Sequence, residues 1–413
     1  MTALSEPMLD VARVRRDFPI LEREVHGKPL IYLDNAATTQ TPSAVIETLD
    51  DYYRRYNANI HRGLHTLADE ATAAYEGTRD KVRAWLGAAS SREIIFTRGT
   101  TEAINLVANS WGRANLRPGD EILVSLMEHH SNIVPWQMLA EALDVTLKVI
   151  PVDERGVLDQ AAYRELLGER TRLVCVNHVS NALGTVNPVA EMAREAHAHD
   201  ALILVDGAQA VPHQRVDVHA LGVDFYAFSG HKMYGPTGVG VLYGREALLE
   251  AMPPWQGGGE MISRVSFDQG TVYSDIPHKF EAGTPAIAEV IALGAALDWV
   301  AATGIDMMAA WEGQLLERAS AKLRDVEGLR LIGTAPDKVS VLSFVVDGVH
   351  AQDIGLLIDQ LGVAIRTGHH CAQPVLASMG LEATCRTSLA AYNTPEEVDA
   401  FVEALEKVIA MVR

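Results

Sequence analysis

Phe228-Ser229-Gly230-His231-Lys232-Met233-Tyr234-Gly235-Pro236 decides the reading of this chain. A lysine stands between a serine, a histidine and a glycine–proline turn, directly after the apolar, aromatic run Val223 to Phe228, which puts it at a strand end. An ammonium is costly to desolvate unless it is paired or gives up its proton. A lysine without its proton can form a Schiff base with an aldehyde. Taken alone it reads as a surface lysine; its neighbours argue for a reactive one. The following Gly235-Pro236-Thr237-Gly238-Val239-Gly240 has G-x-x-G-x-G spacing and leads into the apolar run Val239 to Tyr243. It reads as a turn into a strand and not as a dinucleotide fingerprint, which would open a helix.

Outward from this stretch, composition sets the frame. The 413 residues are 48% hydrophobic and 22% charged, which fits a soluble globular enzyme of about two domains. A net charge of −19 argues against nucleic acid or a membrane as partner. Met1 to Ile20 carries Glu6, Asp10, Arg13, Arg15, Arg16 and Asp17 with no apolar core, so no secretory leader is expected. Val290 to Ala302, interrupted by Asp298, is too short to span a bilayer, and the expected location is cytoplasmic. Cys175, Cys371 and Cys385 are too few and scattered for a disulfide framework or a zinc site, and no metal is expected. Cys175, inside Leu173-Val174-Cys175-Val176, reads as core.

The chain alternates strand-like and helix-like segments. Ile31-Tyr32-Leu33 ends at Asp34-Asn35-Ala36-Ala37, and 66–88 forms an amphipathic helix with Leu67, Ala71, Tyr75, Val82 and Leu86 on one face. Short apolar runs come after it at 94–96, 122–124, 146–150, 173–176, 202–205 and 225–228. Such repetition predicts an α/β fold whose mostly parallel sheet is covered on both faces, with ligands bound beyond the carboxyl ends of the strands.

The residues just past each run are therefore the informative ones. After 93–97 comes Arg98-Gly99-Thr100-Thr101-Glu102 at the start of a helical pattern, either a plain N-cap or an anion site. After 122–125 comes Glu128-His129-His130-Ser131-Asn132, where a stacking or acid–base histidine fits better than a metal ligand. After Leu202 to Val205 comes Asp206-Gly207-Ala208-Gln209. A carboxylate at the end of an all-apolar strand keeps its charge best against a cation, such as a protonated pyridine nitrogen. Asp206 and Lys232, at successive strand ends, can hold one ring by its nitrogen and its aldehyde, as pyridoxal phosphate requires.

These residues bring a resemblance into view. The chain resembles the fold-type I pyridoxal-phosphate enzymes of aminotransferase class V, and within them the SUF-type (group II) cysteine desulfurases, also described as selenocysteine-lyase-like. The resemblance runs from about Val11 to the C-terminus and is carried by Asn59-Ile60-His61-Arg62-Gly63, Arg98 to Glu102, Met127 to His130, Val205 to Gln209, Ser229 to Lys232, Phe280 to Pro285 and Arg366 to Cys371. It implies a large cofactor-binding domain at 24–300 and a small α+β domain made of 1–23 and 301–413. It implies that Lys232 holds pyridoxal 5'-phosphate as a Schiff base, Asp206 pairs with the ring nitrogen, His129 stacks on the ring and acts in catalysis, and Gln209 bonds the phenolic oxygen. Thr101, Ser229 and His231 would hold the phosphate, with Thr284 reaching the phosphate of the other protomer of a homodimer. Asn181 would contact cofactor and substrate, and His61, Arg366 and Arg386 the substrate.

The C-terminal third carries the distinguishing chemistry. In Arg366-Thr367-Gly368-His369-His370-Cys371-Ala372-Gln373-Pro374 a cysteine sits beside two histidines and an arginine, and positive neighbours favour a thiolate. Cys385 reads as packing. Arg386 suits a bidentate grip on an α-carboxylate. By resemblance, L-cysteine becomes L-alanine and Cys371 takes the sulfur as a persulfide for iron–sulfur cluster assembly. The alternatives are a selenocysteine lyase or a cysteine sulfinate desulfinase. In relatives served by a zinc-containing SufU-like acceptor a histidine precedes the aspartate matching Asp353; here it is Gln352, which favours a SufE-like acceptor. Ser340 to Val346 and Val363 to Ile365 read as strands. Thr394-Pro395-Glu396-Glu397 reads as the capping box of a closing helix, and Met252 to Glu281 as a long surface excursion.

Overall fold

The structure, a computed structural model, describes residues 9–413; residues 1–8 of the segment expected in the small domain lie outside the described residues. Its central element is a seven-stranded sheet. In chain order the strands that matter are β1 (Ile31–Tyr32), β2 (Ile94–Thr97), β3 (Glu121–Ser125), β4 (Thr146–Ile150), β5 (Thr171–Asn177), β6 (Leu202–Asp206), β7 (Phe225–Ser229) and β8 (Gly240–Gly244). All but β1 form the sheet, in the order β2-β8-β7-β6-β5-β3-β4, with β8 antiparallel to both neighbours and the rest parallel.

The apolar runs become interior strands because both faces are covered. Along β5, Leu173 and Cys175 enter one core while Val174 and Val176 enter the other, and β6 alternates likewise with Leu204 against Ile203 and Val205. Continuous apolarity is what a sheet buried on two sides demands. The pattern breaks at the carboxyl ends, where β2, β3, β5, β6 and β7 finish on Thr97, Ser125, Asn177, Asp206 and Ser229. Polar side chains there face the edge of the sheet and not its cores.

Helix α1 (Thr66–Trp85) occupies most of the expected 66–88, and α2 (Thr100–Val107) comes directly after β2. The segment expected as a long excursion contains a hairpin, β9 (Ile262–Ser266) with β10 (Gly270–Tyr273). Most of its side chains are exposed, so no one-sided alternation marked it as strand. The apolar stretch near 290 is α3 (Ile287–Thr303), succeeded by α4 (Ile305–Arg324); among the described residues no single helix is long and apolar enough to cross a membrane.

Beyond α4 the chain forms strands β11 (Leu329–Ile332) and β12 (Val341–Val346), helix α5 (Ala351–Asp359), strands β13 (Val363–Ala364), β14 (Arg366–Gly368) and β15 (Thr384–Ser388), and helix α6 (Pro395–Val412). A four-stranded antiparallel sheet runs β11-β12-β15-β14 over a core of Phe344, Ile354, Cys385, Phe401 and Leu405. Both bonds of the capping box at Thr394 and Glu397 form, with Pro395 in the first turn of α6. Strand β1, expected with the large domain, pairs in parallel with β13, and Leu33 joins the C-terminal core. This pairing carries Asp34 to Ala37 under the C-terminal sheet.

Two close approaches hold the sheet's edge. A Cβ on Gly240 of β8 would lie 2.4 Å from Gly99 Cα and 2.7 Å from Phe228 O, both backbone. Gly207, next to Asp206, faces the Tyr226 ring, where a Cβ would come within 2.0 Å. Gly240→Ala is expected to lower stability by about 2 kcal/mol or more in urea denaturation, because backbone cannot move aside. Gly77→Ala, in α1 with nothing within 4 Å of the added carbon, should stabilise by about 0.5–1 kcal/mol. Equal effects of one sign would contradict this packing.

Candidate active site

A cavity of about 300 Å³ opens at the carboxyl ends of β5, β6 and β7, lined from the sheet side by Asn177, Asp206, Ser229 and Lys232 and from the C-terminal side by Arg366, Cys371 and Arg386. The structure brings Lys232, Cys371, His129, Asp206, Gln209, Thr101, Ser229, His231, Asn181, Arg366 and Arg386 to this one cavity. Two expected residues stand elsewhere: Thr284 lines a second opening beside Arg98 and Phe280, and His61 a third beside Glu260 and His278.

Asp206 closes β6 and is buried. Burial pushes its carboxyl up, opposed by a 3.0 Å hydrogen bond from the Ala208 N–H and by the charge of Lys232. Lys232 ends the turn after β7, half-buried against the cavity, and desolvation lowers its ammonium to about 8 despite the pull of Asp206. Among the described residues neither group makes an ion pair. A lysine reachable from the cavity and near neutrality, opposite a buried carboxylate, fits an aldehyde with a basic ring nitrogen, and pyridoxal phosphate carries both.

His129 lies on the loop after β3. Burial, then the charge of Lys232, brings its pKa down to about 3, so its ring is neutral at pH 7. Its Nδ1 accepts the Ser131 N–H at 3.1 Å, which leaves the proton on Nε2. Ser229 Oγ accepts the Thr100 N–H at 2.9 Å and lies 2.8 Å from Thr100 Oγ1, which ties β7 to the first turn of α2. With Thr101 at the same helix start and His231 beside it, this is a donor set suited to a phosphate.

The cysteine loop is pinned from several sides. Asn181 Nδ2 donates to His370 O at 2.6 Å, the His130 N–H to Cys371 O at 2.8 Å, and His370 Nε2 lies 2.7 Å from Thr384 Oγ1. His370 and Cys371 both adopt left-handed backbone, with φ of 52° and 54°, an arrangement that non-glycine residues hold only when their surroundings enforce it. Cys371 is exposed while Cys175 and Cys385 are buried, and burial pushes Cys385 up to about 12. One expectation is corrected: burial lowers His370 to about 3, so it is neutral at pH 7 and adds no positive charge beside Cys371.

Three residues escaped the sequence reading. Asp34 pairs with both Arg366 and Arg386. Asn177, at the end of β5, donates its side-chain N–H to Met127 O at 2.9 Å. Glu128 is fully buried beneath His129; burial raises it to about 8. It accepts from the Ser125 hydroxyl, from Asn132 Nδ2 at 2.7 Å and from the Asn177 N–H at 2.8 Å, so it braces the loop that carries His129. The one group with metal-ligand spacing among the described residues is His61, Glu76 and His278. Its Glu76 already bonds His61 at 2.9 Å and the Arg79 Nε–H at 2.8 Å, which an ordinary ion-pair network explains.

Glu128→Ala strands three donors in a dry site and is expected to cost about 3 kcal/mol in urea denaturation. A loss below about 1 kcal/mol would show that the loop does not depend on it.

Comparison with known proteins agrees with this fold. The aminotransferase class-V family model matches residues 31–401. A cysteine desulfurase of Dickeya dadantii is 56% identical over 398 residues, covering 96% of both chains. Among solved structures, the cysteine desulfurase CsdA of Escherichia coli, in an S-sulfonic acid form, superposes with a TM-score of 0.92 at 42% identity, over 98% of this chain and 100% of that one. A cysteine desulfurase of Thermococcus onnurineus gives 0.93 at 37%, over 99% and 100%.

Proposed function

The chain belongs to the aminotransferase class-V family and is a cysteine desulfurase, and from that premise we propose that it converts L-cysteine to L-alanine with pyridoxal 5'-phosphate, collecting the sulfur on Cys371. The observation that carries this reading is that Cys371, the exposed cysteine, lines the same cavity as Lys232.

When bound, pyridoxal phosphate supplies an electron sink that makes an amino acid's α-proton removable. Lys232 would carry it through Nζ, Asp206 would face its ring nitrogen, His129 would cover its ring and Gln209 would face its phenolic oxygen. Thr101, Ser229 and His231 would hold the phosphate, joined by Thr284 of a second copy in a homodimer. That Thr284 and His61 lie away from their own chain's cavity supports sites shared between copies.

Arg386 grips the substrate carboxylate with Arg366 and Asn181 beside it. Lys232, its nitrogen freed, takes the α-proton, a role that a pKa near 8 suits at neutral pH. The Cys371 thiolate then bonds to the substrate's sulfur while the carbon–sulfur bond breaks. The electron pair stays on the three-carbon fragment, which takes a proton at its β-carbon, recovers the α-proton from Lys232 and leaves as alanine. The persulfide would pass to an acceptor protein, SufE-like by the Gln352 criterion, for iron–sulfur cluster assembly in the cytoplasm. The division into 24–300 and 1–23 with 301–413 belongs to the same reading and is supported by the separate seven-stranded and four-stranded sheets, with the exception of β1, which pairs with β13.

With L-cysteine, wild type is expected to release alanine and carry one persulfide, whereas Cys371→Ala loses both, by a factor of at least about 100 in alanine turnover. Equal alanine from both proteins without persulfide would show Cys371 to be idle and favour a lyase acting on selenocysteine or cysteine sulfinate.

A further inference from the structure

Lys232 stands in a turn that its own bonds secure at one point only. The N–H groups of Met233 and Gly235 both converge on Gly230 O, at 2.9 and 3.0 Å. Between them Tyr234 takes left-handed backbone, with φ of 60°, a conformation that a bulky residue keeps only where its surroundings impose it. Those surroundings come from a distant segment. Thr39 Oγ1 donates to His231 O at 3.2 Å and accepts the Tyr234 N–H at 2.8 Å, so one hydroxyl spans the turn with Lys232 between its two contacts. The Thr39 N–H at 3.1 Å and Thr38 Oγ1 at 2.9 Å reach the same His231 O. Thr39 is buried, so water does not stand in for these bonds.

The segment that carries Thr39 is in turn fixed by the C-terminal sheet. β1 pairs with β13, Asp34 forms a β-bridge with Ser388, the Ala36 N–H donates to Ser388 Oγ at 2.8 Å and the Gln40 N–H to Tyr392 Oη at 3.0 Å. Thr39 therefore links Lys232, at the large sheet, to the sheet that supplies Arg366 and Arg386. We infer that Thr39 is a positioning residue for the reaction. Its hydroxyl fixes the backbone on both sides of Lys232, and so where Nζ stands when it takes the α-proton from a substrate held by the C-terminal sheet. The inference rests on the function proposed above. Proton transfer depends steeply on where the base stands, whereas the grip on the substrate carboxylate does not involve Thr39. Loss of the hydroxyl is expected in the rate and not in the affinity.

The test incubates holoenzyme with L-alanine in heavy water and follows loss of the α-proton signal by NMR, a reaction that needs Lys232 but not Cys371. Thr39→Val keeps the shape and removes the hydroxyl. It is expected to lower the saturated exchange rate about tenfold, while half-saturating alanine stays within about twofold of wild type. Thr39→Ser should restore the rate. Amide hydrogen exchange in peptide 229–236, read by mass spectrometry and slow in wild type, should rise about tenfold in Thr39→Val and not in Thr39→Ser. An unchanged α-proton rate, a fall that serine does not rescue, or a peptide that exchanges freely in wild type overturns the proposal. Thr39→Ala takes the place of Thr39→Val if the latter does not fold. Lys232→Ala separates the premise: if it exchanges alanine at the wild-type rate, Lys232 is not the base and the proposed function fails at that point, independently of Thr39.

Discussion

The cost of placing charge where water cannot reach it organises this structure. The mostly parallel sheet is apolar on both faces through its middle, and the cavity is built from polar groups at the carboxyl ends of its strands. Asp206 and Lys232 stand there at the ends of adjacent strands β6 and β7. Burial raises one and lowers the other, so desolvation draws both towards neutrality. A molecule that gives the carboxylate a cation and the amine a carbon to bond relieves both penalties at once. That shared relief links the fold to its cofactor chemistry.

The second half of the site comes from the C-terminal sheet, and it is rigid for a different reason. Cys371 is exposed, but its loop is tied to the large sheet through Asn181 and His130 and to its own sheet through Thr384. Two successive left-handed residues are sustained only in such a frame. The thiol is thus presented on a fixed support, exposed to solvent and lining the same cavity as the arginine pair. His370, neutral and buried, serves this frame through its bonds and not through charge.

Much of this was legible in sequence where local pattern and burial agree. Runs such as 173–176 and 202–205 announce doubly covered strands, and Thr394 to Glu397 announces its helix start, because each signal is complete within a few residues. The hairpin at 262–273 was not legible, since both of its strands are largely exposed and lack a one-sided apolar face. Asp34 was visible as a strand end only; its partners lie 332 and 352 residues away, and no local pattern encodes an ion pair at that distance. Glu128 was overshadowed by the histidines after it, although a glutamate buried among donors is the brace of their loop. The charge expected of His370 depended on exposure, which the sequence does not carry.

The most direct test of the central claim is where and when the aldehyde attaches. Apoprotein would be mixed with pyridoxal phosphate between pH 6 and 10, reduced with borohydride, and the modified peptide identified by mass spectrometry while uptake is monitored by absorbance. Because desolvation lowers Lys232 to about 8, its neutral, nucleophilic fraction grows as pH rises through that value. The account predicts a single modification on Lys232, with an uptake rate that climbs with pH and levels off above about 8. Modification scattered over other lysines, or uptake that still climbs towards the ordinary lysine range near 10.4, would contradict it.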